Sequence, residues 1–523
     1  MQKILLIDDL NISKRNYASL YEAIKDDYDV FCSKNNRLLK LNNLLIDNFK
    51  TPLTDSFKGP FLIDIKNSMD WLINGSLSIG RLSIPTKEIC SRMIRQYLVV
   101  YDQELAYRLK PLSYNEQVEF LNKHPIALKN LIKMLEYWEE YFNNNLHKIK
   151  NAKAVIVFGG VNILPSIMLA VCKRLGISTL VSEHFVTGVD SFLEFRYSPI
   201  PNNSYARRLY DDEVKYDINS INKTIGKFNL NKNKNAVRKV DYDSNVNIKG
   251  RYLVIVAQVP DDASMSSSEN FFSPTAKLIE SIDWLLNNTD YKLAIKWHPW
   301  EHVKLVDESY ISKDKVTKHF IGNKAFSKRV IYYDECNLIQ LCENAHATLT
   351  ICSQSAIEIA LFAGKKTITL IQTYYNFMGI TSCYDSVADV DWNKWDDTLS
   401  LNEYNRFLNS LTWFVLDYLY CVFPSGINRI KELLSKVKSN SLPGSFEYRV
   451  KIVKPNVVNN QSKLIAEPGP VTREEFERLL IKDPSKIKIP DKYKTARYLQ
   501  NKSWAKPLWL LAVPLSRLNR ILK

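Results

Sequence analysis

No CxxC pair occurs in this 523-residue sequence; its eight cysteines are scattered at Cys32, Cys90, Cys172, Cys336, Cys342, Cys352, Cys383 and Cys421. A zinc or disulfide framework is therefore not expected, and the reducing cytosol is the better compartment. Cys352 and Cys421 sit inside apolar runs and read as small core residues. No uninterrupted apolar stretch reaches the ~18 residues that a membrane-spanning helix needs. The apolar start of the chain is broken by Asp8 and Asp9, so it reads as a first buried strand and not as a signal peptide. Solenoid-period repeats, an RNA-recognition aromatic motif, a zinc finger and a helix-turn-helix signature are all missing as well.

What is there begins with charge. The formal net charge is +15, but residues 437–523 hold 18 Lys and Arg against 7 Asp and Glu, so that tail alone carries +11. Basicity confined to a tail argues against nucleic acid as the partner. The final stretch, 504–523, combines Trp504 and Trp509 with an acid-free apolar run and Arg517, Arg520 and Lys523. It is too short and interrupted to cross a bilayer. An interfacial segment on the anionic inner-membrane surface fits it, with a terminal helix docked on the protein itself as the alternative. The expected location is thus cytoplasmic and membrane-peripheral.

The length asks for two domains and an appendage. Apolar residues at helical spacing run through 126–150 (Leu128, Leu131, Leu135, Trp138, Phe142). A strand at 154–158, the turn Gly159-Gly160, a helix at 165–175 and a strand at 177–181 make a parallel βαβ unit ending at Glu183-His184. The alternation resumes with strands at 252–257, 291–296, 330–333, 347–352 and 367–370, and helices at 275–286, 337–343 and 354–363. Residues 411–420 and 427–437 are expected as closing helices. The Asn- and Lys-rich stretch 228–248 reads as a linker. This predicts an α/β protein of two Rossmann-like domains facing a cleft, 1–235 and 236–436, with a basic C-terminal tail at 437–523.

Polar clusters follow several strands of this pattern. Lys296-Trp297-His298-Pro299 puts a cation and an imidazole at the carboxyl end of a strand, where open α/β sheets bind ligands. Lys296 and His298 can both donate to phosphate oxygens, although a single histidine after a strand is often structural. Ser353-Gln354-Ser355 opens a helix and offers amides and hydroxyls to an anion, with Glu358 one turn further in to take ribose hydroxyls. A plain N-cap and a solvated carboxylate are the bland alternative. Gln258 and Asp262 follow the first strand of the second half; Asp262 is either a nucleophile or a helix cap. Glu183 and His184 end a strand of the first half, where a partly buried carboxylate could act as general acid and base.

The residues Gln258-Val259…Asp262-x-Ser264, Lys296-x-His298-Pro299 and Ser353-Gln354…Glu358-x-Ala360-Leu361…Gly364-Lys365 resemble the bacterial capsule polysaccharide biosynthesis family of β-Kdo glycosyltransferases. Tyr374 to Thr381 looks like a degenerate form of that family's aromatic-Tyr-Ala-Gly-Trp-Gly-Leu-Thr run, and Val181 to Phe185 is similar to its Val-Glu-Asp-Gly-Phe segment. The resemblance covers roughly residues 150–390. It departs at His184 and at Asn376-Phe377-Met378, and region 1–150 and the tail show no motif to align.

This resemblance implies a GT-B-type fold and a retaining transfer of Kdo from CMP-Kdo, without metal or other cofactor, to a lipid-linked saccharide acceptor of capsule or lipopolysaccharide. Ser353, Gln354, Ser355 and Glu358 would hold the cytidine ribose and phosphate, Lys296 and His298 the phosphate and the Kdo carboxylate. Asp262 would be the nucleophile, with Asp261 as competitor; the offset of four from Gln258 favours Asp262. Glu183, beside His184, would be the acid/base. Two other readings fit the residues: a CDP-glycerol-type glycerophosphotransferase, and a non-catalytic scaffold of a capsule assembly complex.

Overall fold

In the computed structural model, the residues described are 2–6, 20, 24, 28–32, 65–187, 190–230, 248–266, 270–298, 301, 311–334, 336–420 and 424–436. All belong to one compact unit, residues 1–451. The expected linker core, Pro299 and the tail with its segment 504–523 lie outside them.

Two six-stranded sheets organise the chain. The first contains β1 (Gln2–Leu6), β2 (Tyr28–Cys32), β5 (Ala152–Phe158), β6 (Thr179–His184), β7 (Ser191–Phe195) and β14 (Leu419–Tyr420), in the order β14-β7-β6-β5-β1-β2. β3 (Ser76–Ile79) and β4 (Leu82–Pro85) form a separate hairpin. The second sheet is parallel throughout, in the order β10-β9-β8-β11-β12-β13, from β8 (Tyr252–Val256), β9 (Lys292–Lys296), β10 (Val330–Tyr333), β11 (Ala347–Thr350), β12 (Thr367–Thr369) and β13 (Thr381–Cys383). β8, Tyr-Leu-Val-Ile-Val, is buried at every position, as a central parallel strand covered on both faces must be. The expected two Rossmann-like halves are there.

The second sheet reverses direction between β8 and β11: β9 and β10 run off on one side, β12 and β13 on the other. Such a switch point leaves a crevice at the carboxyl ends of the strands. Register places Val256 opposite both Lys296 and Thr350, so the segments after β8, β9 and β11 leave the sheet at one edge.

The expected helices form at Pro125–Lys150, Ile163–Leu175, Pro274–Asn288 and Ser355–Ala363. Gly176 takes a left-handed φ of 67° that ends the second of these and turns the chain into β6. The expected closing helices are there with one change: the helix Leu401–Trp413 runs on as a π-helix over Phe414–Tyr418, Leu419-Tyr420 then pairs antiparallel with β7, and Pro424–Lys436 is the last helix. Residues 401–436, expected to close the second half, thus return to the first sheet.

That return builds a shared core. Phe185 and Phe192 of the first half pack tilted and edge-on around Phe414, with centroids 5.2 and 5.7 Å away, and Tyr374 of the second half lies 5.1 Å from Phe192. Ala356, Ile357, Ala360 and Leu361 of the Ser355–Ala363 helix join the same cluster. Apolar residues from both halves therefore lock the Ser353 turn against the first sheet. No described helix is long and apolar enough to cross a membrane.

Candidate functional site

Gln258 leaves β8 at the switch point and is buried there. Its Oε1 accepts from the Cys352 amide (2.8 Å), and its Nε2 donates to the Cys352 sulfur (3.2 Å). The side chain therefore clasps the ends of β8 and β11 across the crevice. Burial, with the Asp262 charge nearby, pushes the Cys352 thiol up to about 12, so it stays a thiol and packs as one. The core reading of this cysteine holds, with hydrogen-bonding contacts to Gln258 and Ser264 added to it.

Asp262 is half-buried and opens the short helix Ala263–Ser266. Its Oδ1 accepts from the Ser264 amide (2.9 Å) and hydroxyl (2.8 Å). The residue is thus a cap, one of the two roles open from sequence. The bonds also fix its carboxylate, orienting Oδ2. Asp261 is held by its carbonyl, which accepts from Gln96 of the first half (3.2 Å).

Lys296 ends β9. Its ammonium donates to the carbonyls of Trp297 and Asp334, both at 2.9 Å, and so ties the ends of β9 and β10 together. His298 is half-buried at the next bend, its carbonyl accepting from the Glu301 amide at 3.1 Å. Glu301 was not legible as a site residue. Its carboxylate is fully buried, Oε1 accepts from the Ser312 amide (2.5 Å), and burial together with Asp261 raises it to about 7. Lys315, whose ammonium donates to the Val100 carbonyl (2.8 Å), is lowered by burial to about 8.

The Ser353 turn is internally bonded: Ser353 Oγ donates to Ser355 Oγ (3.1 Å) and accepts from the Ser355 amide (3.3 Å). Tyr375 donates its hydroxyl to the Ser353 carbonyl at 2.5 Å. Glu358 lies half-buried in the first turn of the helix that follows.

One chain of hydrogen bonds crosses the cleft. Burial, with the charges of Tyr375 and Glu183 nearby, holds the Tyr374 phenol well above its ordinary value, so it remains a donor. It donates to Gln354 Oε1 (2.9 Å), and Gln354 Nε2 donates to the His184 carbonyl (3.3 Å). The end of β6 is thereby fastened to the serine turn. Glu183 accepts from the His184 amide (2.9 Å), while the His184 ring packs 4.9 Å from Phe158 and reaches Ser191 Oγ at 3.4 Å. Gly159 takes a left-handed φ of 63° beside Glu183; a Cβ there would make ordinary contact with Oε2, at 3.8 Å. Among the described residues, no group of three or more His, Cys, Asp or Glu is placed to hold a metal ion.

Hydrogen bonds thus join Gln258 and Asp262, through Ser264 and Cys352, to the end of β11, and Gln354 of the serine turn to the His184 carbonyl at the end of β6. Residues 202–409 match the family of capsule polysaccharide biosynthesis proteins. The resemblance read from the sequence holds over this capsule-synthesis segment. No curated protein matches the chain. Solved structures similar to it include two Thermosulfurimonas dismutans KpsC proteins. The β-Kdo 2,4 transferase is 16% identical, covering 54% of this chain and 88% of its own at a TM-score of 0.36. The β-Kdo 2,7 transferase is 13% identical, with coverages of 56% and 89% and a TM-score of 0.31. UDP-GlcNAc 2-epimerase from Methanocaldococcus jannaschii, with UDP-GlcNAc and UDP, is 11% identical, with coverages of 77% and 97% and a TM-score of 0.28. Overlaps this loose leave the substrate to be argued from the residues of the chain itself.

Proposed function

We propose that this protein is a retaining glycosyltransferase of capsule synthesis that takes Kdo from CMP-Kdo and passes it to a lipid-linked saccharide. The observation that supports the reading is the Tyr374–Gln354–His184 bridge, which fastens the end of β6, where the acid/base candidate Glu183 stands, to the turn Ser353–Ser355. The turn and the start of its helix receive the nucleotide phosphate, and Glu358 takes the ribose hydroxyls. His298 and Lys296 supply positive charge at the neighbouring strand end, Lys296 on exchanging a carbonyl partner for the anion.

Asp262 Oδ2 attacks the anomeric carbon of Kdo, and CMP departs with the electrons of the broken C–O bond. Glu183 then takes the proton of the acceptor hydroxyl as its oxygen displaces Asp262, which returns as carboxylate. Two inversions give retention. CMP is a good leaving group and needs little protonation. The basic tail would hold the protein at the anionic inner-membrane surface, next to its acceptor.

The cap bonds of Asp262 favour a second reading, in which Asp262 only shapes the loop and a CDP-glycerol-type phosphotransfer occurs. The two separate in one experiment. Under the Kdo reading, CMP and CMP-Kdo raise the melting temperature more than CDP-glycerol or UDP-sugars do. Asp262→Ala then abolishes acceptor-dependent CMP release from CMP-Kdo. Full turnover by that variant removes the nucleophile assignment.

A further inference from the structure

One loop of the first half, residues 198–203, is tied to both candidate bond-making groups. Its Ile200 amide donates to the carbonyl of Gly159 (3.1 Å), the residue beside Glu183. Pro199 packs against Gly160 so closely that a Cβ there would lie 3.0 Å from the Pro199 Cα. At the other end of the loop the Asn202 amide donates to the Ser264 carbonyl (3.4 Å), and Ser264 holds Asp262 through both its own amide and its hydroxyl. The Asn202 side chain is also within hydrogen-bonding reach of the Cys352 thiol, just past β11.

Asn202 makes these contacts from a left-handed backbone, φ 53°, the sole positive φ of a non-glycine residue among the described residues. The turn explains the sign: the Asn203 amide donates to the Ile200 carbonyl (2.9 Å), with Pro201 and Asn202 in the two central positions. Glycine fits such a position without cost, whereas asparagine is tolerated there and brings an amide. The loop is held by a buried ion pair that the proposed reaction does not use. Arg196 and Glu194 meet at 2.7 Å, with side chains 1% and 3% exposed. The Arg196 guanidinium donates to Ser198 Oγ (3.0 Å) and to the Asn203 carbonyl, so it grips both ends of the loop. Glu194 Oε1 accepts from the Ser204 hydroxyl (2.6 Å) and the Tyr205 amide (2.9 Å), fixing the chain that follows. A pair this buried adds little stability over an apolar replacement, but fully bonded it rigidifies what it touches.

We propose that Asn202 is a positioning residue: from a loop clamped by Arg196, it sets where Asp262 stands relative to Glu183 and so governs the first chemical step. The inference rests on the glycosyltransferase reading of the site. In a retaining transfer the two carboxylates must keep a fixed spacing, and a misplacement of about 1 Å can cost about a hundredfold in rate. The amide, which glycine would lack, joins the loop that meets Gly159 to the loop that carries Asp262.

Asn202→Gly in the full chain separates positioning from support of the fold. Its melting temperature stays within about 3 °C of the unsubstituted chain, because relief of the left-handed backbone offsets the added freedom of the unfolded state. The kcat for acceptor-dependent CMP release from CMP-Kdo falls by about tenfold or more, while KM for CMP-Kdo changes by less than about twofold. Asn202→Asp, which tolerates the same backbone but has no amide to donate, loses rate in the same way. An unchanged kcat, a loss confined to KM, or a loss accompanied by a larger fall in melting temperature overturns the assignment. Hydrogen exchange of the substrate-free chain tests the contact apart from the chemistry: the Ser264 amide, which donates to Asp262, exchanges about tenfold faster in Asn202→Gly, with the β8 amides unchanged. Equal exchange at Ser264 also overturns the proposal. A chain that shows this exchange difference but releases no CMP from CMP-Kdo loses the donor reading and keeps Asn202 as the residue that fixes the Asp262 loop.

Discussion

Replacing Glu301 with Gln is expected to stabilise the protein in alkaline solution and to leave it unchanged in acid. Glu301 is fully buried three residues after His298, and burial with the nearby Asp261 carboxylate raises it from an ordinary 4.5 to about 7. Below about pH 4.5 the carboxyl is protonated in both the folded and the unfolded chain and contributes nothing to pH dependence. Between 4.5 and 7 the unfolded chain releases a proton that the folded chain keeps, so stability falls as pH rises. Above 7 the loss is complete, and the gap between the two values corresponds to about 3 kcal/mol. Gln retains an oxygen for the Ser312 amide, which now donates to Oε1, and brings no charge. Part of the gain is offset because Lys315, already lowered to about 8, loses a compensating negative charge. A net gain of about 2 kcal/mol at pH 8 follows. Urea unfolding of both proteins at about pH 4.5 and 8, with unchanged m-values, measures it. Equal unfolding midpoints of the two proteins at pH 8, or a gain of the same size at both pH values, would refute the reasoning.

Two further outcomes follow from buried groups. Lys227 and Asp190 form an ion pair with side chains 2% and 0% exposed; Lys227→Met leaves the carboxylate without its cation and costs about 3–5 kcal/mol. Adding Asp190→Asn restores most of that loss in urea melts, whereas an additive loss would show that the pair is not the cause. The Cys352 thiol, buried and pushed up to about 12, is expected to stay unmodified by a disulfide reagent at pH 8 and to react when urea unfolds the chain. Its modification in the native protein at the rate of a free thiol would contradict that burial.

Much of this was legible in the sequence because it depends on local pattern. The all-apolar β8 and the amphipathic 125–150 helix announce themselves in runs of a few residues. Gln258, Ser353 and Glu183 stand where a strand stops, and strand ends of one parallel sheet share an edge. What escaped depends on partners distant along the chain. Residues 411–418 are helical as their apolar pattern suggests, and only Leu419-Tyr420 leave the helix to pair with β7, a partner more than 200 residues away along the chain. Glu301 looks like a surface acid until Ser312 and Asp261 close over it. Lys296 reads as a phosphate ligand until the Asp334 carbonyl, 38 residues on, is seen beside it. Asn202 resembles any turn residue after a proline, because the Ser264 carbonyl that it meets lies 62 residues on.

The central claim is that Asp262 and Glu183 act in sequence on a CMP-linked sugar. Its most direct test is intact-mass analysis of the Glu183→Gln variant incubated with CMP-Kdo, followed by peptide mapping. The account expects stoichiometric release of CMP and a mass increment of one Kdo residue on Asp262. Release of CMP with the increment on another side chain, or binding of CMP-Kdo with no adduct at all, would contradict it.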